Sequence, residues 1–271
     1  MDALTRRVRV RRWLPGMALR ACNTVIGVFL VAPILIVMLS SFNPKQYFDF
    51  PPTGFTLRWY AALAGNTEIV AAFLFSLKLA ILATIISTLL GTAMAIALHR
   101  IRLLAAETVR GVIVAPLVVP GVVLGIALLL YFGQTDVVGP LVILLGAHVC
   151  LTLPFVFRIV TAGLESADRS IEDSAMSLGA SRTVAVLTVT LPLIKGSILA
   201  AASFAFLTSF DEVVVTLFIA PPDTPTLPVY IFHYIQYNSD TLVAAAGTVM
   251  VLVGSLAAWL CSRKASLGRL F

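Results

Sequence analysis

Six long apolar runs constrain this chain more than any other feature, at about residues 21–42, 69–98, 109–132, 139–161, 194–220 and 241–262. Each can cross the ~30 Å hydrocarbon core of a bilayer, for which roughly 20 helical residues suffice. In lipid a backbone must satisfy its own hydrogen bonds, and separate runs of this length do so as helices. The expected fold is all-α, a polytopic membrane protein with six transmembrane helices. Composition agrees, with hydrophobic residues at 59% and charged residues at 12%, against about 45–50% and about 25% in soluble domains. One membrane domain is expected over 21–262, between a basic segment 1–20 and a tail 263–271.

Charge placement sets the expected orientation, because short loops rich in Lys and Arg stay on the cytoplasmic side. With the N-terminus inside, that side collects Arg6, Arg7, Arg9, Arg11, Arg12, Arg20, Arg100, Arg102, Arg110, Arg158, Arg169, Arg182, Lys195, Arg263, Lys264 and Arg269. Only Lys45, Arg58 and Lys78 fall outside. Both termini are then cytoplasmic. The net charge of +6 does not point to nucleic acid, since the basic residues are not interleaved with aromatics on a soluble face. Cys22, Cys150 and Cys261 lie in or beside apolar runs without paired spacing, which indicates neither a disulfide framework nor a zinc site. The first run is too long for a secretory leader and lacks a small-residue cleavage site, so an uncleaved anchor is expected.

Between the strongly apolar fourth and fifth runs lies a long polar-capable stretch, SIEDSAMSLGASRTVAVLTVTLP from Ser170 to Pro192. Ser170 with Asp173 offers an N-cap and a first-turn carboxylate, Gly179 can take the left-handed position that ends a helix, and Ser181 can cap a second one. Pro192 suits the first turn of the next helix. The expectation is two short helices meeting at Gly179, an elbow outside the lipid on the basic side.

Asp173-Ser174-Ala175, three residues, Gly179, nine residues, then Val189-Thr190-Leu191-Pro192 resembles the "EAA" loop of the membrane-spanning subunits of ATP-binding-cassette importers. The family pattern is Glu-Ala-Ala, Gly, then Ile-x-Leu-Pro, and the spacing matches throughout. Asp173 and Ser174 stand where the family has Glu and Ala, so any ion pair made by the family's glutamate would have to be reached here by a shorter side chain. The resemblance implies the six-helix type I importer (MetI-like) permease fold in a bacterial inner membrane, with the loop region 163–192 docking on a separate ATPase. It assigns coupling to Asp173, Ser174, Ala175, Leu178, Gly179, Ala180, Ser181, Leu191 and Pro192. The implied partners are two ATPase copies that bind ATP and Mg, a second permease that is similar but distinct, and an external substrate-binding protein. No cofactor is implied for this chain itself.

The remaining features are read in chain order. Residues 43–67 carry Pro44, Pro51, Pro52 and Gly54 and then FTLRWYAAL, an external loop leading into a short interfacial helix, with Trp59 and Tyr60 suited to the headgroup region. That phrase is similar to the matching loop of permeases of the polyamine branch. Lys78 is expected to snorkel along its alkyl stem, and Ser87, Thr88, Gly91, Thr92, Ala93 and Ala95 to allow close helix approach. His99 marks a boundary. Pro116 and Pro120 should kink the third run, Gln134-Thr135-Asp136 should form an external turn, and His148 should be a packed, hydrogen-bonded histidine. In the fifth run, SFAFLTSFDEVVVTLF places Asp211 and Glu212 about 18 residues into a helix, pointing about 100° apart. Ionised groups at that depth normally face water or a partner charge, so Ser209, Phe210, Asp211 and Glu212 are the expected pathway residues, with pairing to Lys78 or a neighbouring chain as the bland alternative. The phrase resembles the same span in spermidine and putrescine permeases. The segment APPDTPTLPVYIFHYIQYNSD is the second long external stretch, where a binding protein would dock.

No phosphate-binding loop, His-Glu-x-x-His or Gly-x-Ser-x-Gly motif occurs, so a catalytic role is not expected. An ion-coupled secondary transporter would need midplane carboxylates and usually inverted repeats, and no repeat is visible. For the solute, a polyamine comes first, followed by aminoalkyl phosphonates or amino-acid-like amines.

Overall fold

A computed structural model describes residues 3–47, 49–100, 104–132, 139–221, 223–238 and 240–267. The turn expected at Gln134-Thr135-Asp136 lies outside these residues, as do Arg102 and Arg269 and the side chains of Arg6, Arg7, Arg9, Arg11, Arg12 and Lys264. The chain divides into two compact units, Met1–Gly65 with Asn238–Thr248 and Asn66–Tyr237 with Val249–Phe271.

The first unit contains helix α1 (Ala3–Ser40), helix α2 (Arg58–Gly65) and the opening turns of α13 (Leu242–Leu267). Within α1, Leu19–Ser40 has a mean hydropathy of 2.5 and is almost wholly exposed. Such a surface is stable only against lipid or other apolar partners. The loop after α1 is tied down internally, Trp59 Nε1 donating to the Asn43 carbonyl at 2.8 Å and Thr241 Oγ1 to the Lys45 carbonyl at 2.9 Å. Trp59 is therefore packed into its own loop at 9% exposure. Its indole N–H needs an acceptor, and the carbonyl of Asn43 supplies one.

The second unit is built on three mutually packed helices, α3 (Thr67–His99), α6 (Pro140–Ser166) and α10 (Lys195–Phe210). Asn66 caps α3 by accepting from the amides of Glu68 and Ile69. The core holds Ala95, Val156, Phe157, Val160, Ile194, Ala201 and Ala205. Small residues govern the approach, as expected for helices whose association rests on packing rather than on exclusion from water. A Cβ on Gly91 would lie 2.7 Å from Val156 Cγ1. One turn earlier, Ser87 and Thr152 share a buried hydrogen bond of 2.6 Å. Lys78 is exposed, consistent with snorkelling.

Two of the six runs are broken more sharply than the sequence suggests. Helix α4 (Leu104–Val114) continues into a 3-10 turn at Ala115–Leu117, and α5 (Gly121–Phe132) then departs at 95°. Pro116 and Pro120 remove two backbone donors within five residues, which turns an expected kink into a corner. Beyond the loop at 178–181, α7 (Arg169–Ser177) is followed by α8 (Arg182–Ala185), a π turn at Val186–Thr190 and α9 (Leu191–Leu193). The segment Arg182–Leu193 meets α10 at 69°. After α10 come α11 (Thr216–Ile219) and α12 (Leu227–Tyr237). Among the described residues four helices are individually long and apolar enough to cross a membrane, or six when each bent pair counts as one span.

Candidate functional site: the elbow after α6 and the carboxylates after α10

The elbow forms where the local signals place it, with one shift at its start. Asp168, not Ser170, caps α7, its carboxylate accepting from the Ser170 amide at 2.9 Å. That backbone hydrogen bond holds the Asp168 carboxyl below the ordinary aspartate range. Ser170 lies two residues inside the cap, and its carbonyl accepts from Ser174 Oγ at 2.7 Å. At the far end Gly179 has φ +97°, Ala180 N–H donates to Ala175 O at 3.1 Å and Gly179 N–H to Met176 O at 3.0 Å. This is the Schellman arrangement, which needs a residue free to adopt positive φ. Ser181 then caps α8 through the Val184 amide at 3.4 Å. Pro192 cannot donate toward the preceding turn, and the helix before it widens so that Leu191 N–H reaches Val186 O, the π-type spacing such insertions produce.

The ion pair of the elbow belongs to Glu172. Its carboxylate pairs with Arg100 at the end of α3 and accepts from Thr190 Oγ1 at 2.6 Å. Asp173, where the family's glutamate was expected to find a counterpart, is exposed and makes no ion pair among the described residues. A side chain one position earlier points about 100° away on a helix, toward α3 instead of outward. Burial pushes the Glu172 carboxyl up, but the Thr190 hydroxyl and the Arg100 guanidinium outweigh it, helped by Arg182, and hold it below the ordinary glutamate value. Arg169 adds a second tie, its Nη2 donating to the His99 carbonyl at 3.0 Å. Glu172, Arg100, Arg182 and Thr190 line a cavity of about 430 Å³.

The outer surface of the elbow is apolar at its tip. Leu178 is 90% exposed, with Ile171 and Leu187 also open. Asp173, Ser174, Gly179, Ser181 and Pro192 are exposed, while Ala175, Ala180 and Leu191 are half-buried. A short helix pair is thus tied to the end of α3 by Arg100–Glu172 and leaves Leu178 exposed.

The four residues assigned to a pathway separate. Helix α10 ends at Phe210, so Asp211 and Glu212 are not 100° apart on one helix as expected. Glu212 instead caps α11, accepting from the amides of Val215 and Thr216 at 2.9 Å each and from Thr216 Oγ1 at 2.5 Å. The neighbouring Ser209 is buried and bonded to His148 Nδ1 at 2.8 Å, while Nε2 meets Thr216 Oγ1 at 3.0 Å. Because Thr216 Oγ1 donates to Glu212, it accepts from His148 Nε2–H, which completes a chain from Ser209 through His148 and Thr216 to Glu212. Phe210 is 3% exposed, stacked on Phe206 and edge-on to Phe73. Of the four, Asp211 alone is open, and its carboxylate makes no hydrogen bond or ion pair among the described residues. Sequence reasoning misses the His148–Thr216–Glu212 chain because its members are up to 68 residues apart.

Comparison with known proteins identifies the family. The chain is 31% identical to the spermidine/putrescine transport system permease protein PotC of Escherichia coli (strain K12), over 85% of this chain and 87% of the relative. It is 32% identical to PhnV of Salmonella typhimurium (strain LT2), provisionally named as a 2-aminoethylphosphonate transport system permease, over 83% and 85%. Its fold is shared with a chain of a bacterial alginate ABC transporter solved in complex with an alginate pentasaccharide-bound periplasmic protein, with a TM-score of 0.71, 19% identity and 94% of each chain covered. Residues 87–261 match the family model of binding-protein-dependent transport system inner membrane components. The chain thus belongs to that family, as a non-catalytic permease subunit of an ATP-binding-cassette importer.

Proposed function

We propose that this permease imports a small organic cation, a polyamine such as putrescine or spermidine, and takes its driving force through the elbow. The observation that carries the coupling role is Glu172, which joins the elbow to the end of α3 and to the π turn leading into α10. Two ATPase copies, holding ATP and Mg, dock at Leu178 and its surroundings. Their closure pushes on Asp173–Pro192, and α10 carries the displacement toward Asp211. Alternating access requires two arrangements that a ligand biases differently, and the 69° joint at Ile194 is where they would exchange. Asp211, the open carboxylate, attracts the cationic solute.

The second permease is a distinct, similar subunit, a binding protein delivers the solute from outside, and both termini face the cytoplasm with most of the Lys and Arg residues. An aminoalkyl phosphonate is the second reading, favoured by the likeness to PhnV, since its ammonium group suits the same carboxylate. The decisive experiment measures uptake of radiolabelled putrescine, spermidine and 2-aminoethylphosphonate by cells carrying the whole complex. Uptake should survive collapse of the membrane potential and stop on ATP depletion. The reverse pattern would make the protein a secondary transporter, and uptake of the phosphonate alone would reassign the solute.

A further inference from the structure

Within the second unit, α3 runs from a cleft at its first turn to the elbow at its last, about 50 Å at ~1.5 Å per residue. The cleft has a volume of about 710 Å³ and is lined by Glu68, Phe75, Asp223, Tyr230, His233 and Tyr234, among others. Small-molecule sites fall in the same range, about 300–1,000 Å³. It is distinct from Asp211, which does not line it.

The walls are held in place. The Leu227 amide donates to Ser76 Oγ at 2.7 Å, fastening the start of α12 across α3, and Leu227, Pro228 and Val229 are buried. Tyr230 and Tyr234, one turn apart, stack with centroids 6.3 Å apart. The Tyr230 hydroxyl donates to Glu68 Oε2 at 3.2 Å, so aromatic wall and carboxylate meet. Asp223 is exposed and its carboxylate has no partner among the described residues. Beside Pro225 in the wall, Thr226 is 2% exposed and its hydroxyl has no hydrogen-bond partner among the described residues.

The lining contains two carboxylates and neither Lys nor Arg. An inorganic divalent cation would require six or more oxygen ligands or retained waters, which Ala71, Ala72, Phe75 and Pro225 do not offer. Alkylammonium ions are matched instead, their charge by carboxylates and their methylenes by ring faces, with cation–π attraction of about 0.5–2 kcal/mol per favourable contact. We propose that this cleft is a receiving site for organic ammonium ions, in which Glu68 and Asp223 balance the charge and Tyr230, Tyr234 and Phe75 enclose the carbon chain. The assignment deepens the amine-import reading and rests on it only for which amine is bound.

The test uses the whole complex in membranes, with Cys22, Cys150 and Cys261 changed to Ser and Thr224→Cys introduced in the cleft wall. Modification rates are measured with a trimethylammonium and a sulfonate methanethiosulfonate reagent, each normalised to its rate with 2-mercaptoethanol. The cationic reagent should react about tenfold faster or more, the lower end of electrostatic focusing in a charged cleft. Asp223→Asn and Glu68→Gln together should bring the two rates within about threefold of each other. Asp223→Asn alone, at an exposed residue, should remove part of the preference without disturbing the fold. Protection by millimolar putrescine supports both the site and the amine reading. A carboxylate-dependent preference with neither putrescine protection nor putrescine uptake supports an ammonium site and refutes the polyamine reading. Equal normalised rates in the unsubstituted cleft, or a preference that survives loss of both carboxylates, overturns the proposal even where putrescine is imported.

Discussion

Replacing Gly179 isolates backbone conformation from packing, because a Cβ built there meets nothing within 4 Å. Whatever a substitution costs must come from φ +97°. A side chain in the left-handed region costs about 1–2 kcal/mol, with Asn the mildest because its short polar side chain bonds locally. β-branched residues are worse, since crowding at Cβ narrows them further. For Gly179→Ala the balance between the bent elbow and opened forms shifts by about 1–2 kcal/mol, a factor of roughly 5–30. The two hydrogen bonds that close the turn, each worth about 0.5–1.5 kcal/mol, are of the same size as that strain, so the bend is held only marginally once a side chain is added. Uptake and solute-stimulated ATP hydrolysis by the reconstituted complex should therefore fall in the order Gly, Asn, Ala, Val, with Gly179→Val close to inactive. The amount of chain in the membrane should stay unchanged, since the apolar runs are untouched. Full uptake by Gly179→Val would show that the bend at this position does not transmit force.

Glu172→Gln should uncouple ATP hydrolysis from uptake and lower thermal stability by about 1–3 kcal/mol, the usual cost of leaving a partly buried charge such as Arg100 unpaired. Because the Glu172 carboxyl is depressed in the folded protein, its contribution is fully present above the unfolded glutamate value of about 4.3. It is lost as pH falls through the lower folded value. The melting difference between Glu172→Gln and the parent should thus be flat above about pH 5 and shrink below about pH 4; a difference that instead grows on acidification contradicts the pairing. Asp211→Asn should reduce uptake of cations while leaving melting unchanged, whereas Glu212→Gln should lower melting first, by about 0.5–2 kcal/mol for a weakened helix cap. Equal loss of stability from both would mean that Asp211 is structural too. Gly91→Leu should destabilise by about 1–3 kcal/mol through overpacking, because the neighbour at 3.3 Å is the backbone nitrogen of Phe157 and cannot give way as a side chain could. Normal accumulation and melting of that variant would place α3 and α6 further apart.

Features encoded over a few residues are legible in the amino-acid order alone. The apolar runs, the left-handed Gly179, the Ser181 cap and the break near Pro192 follow from hydration, Cβ sterics and the missing proline amide, none of which depends on distant residues. Charge asymmetry likewise gives an expected orientation, and the loop's resemblance to a known family implies an importer permease. The loop's ion pair sits one residue from the position its motif indicates because the partner, Arg100, lies 72 residues away, and only the packing of α3 beside α7 decides which carboxylate faces it. The fifth run ends at Phe210 for a similar reason: Glu212 and Thr216 look like ordinary helix positions until His148, on α6, draws them into a hydrogen-bonded cap. The ammonium cleft is the extreme case, joining Glu68 to Tyr230 across 162 residues. Local chemistry determined where this chain bends and where it is apolar, while tertiary packing decided which charges are paired and which remain open to a solute.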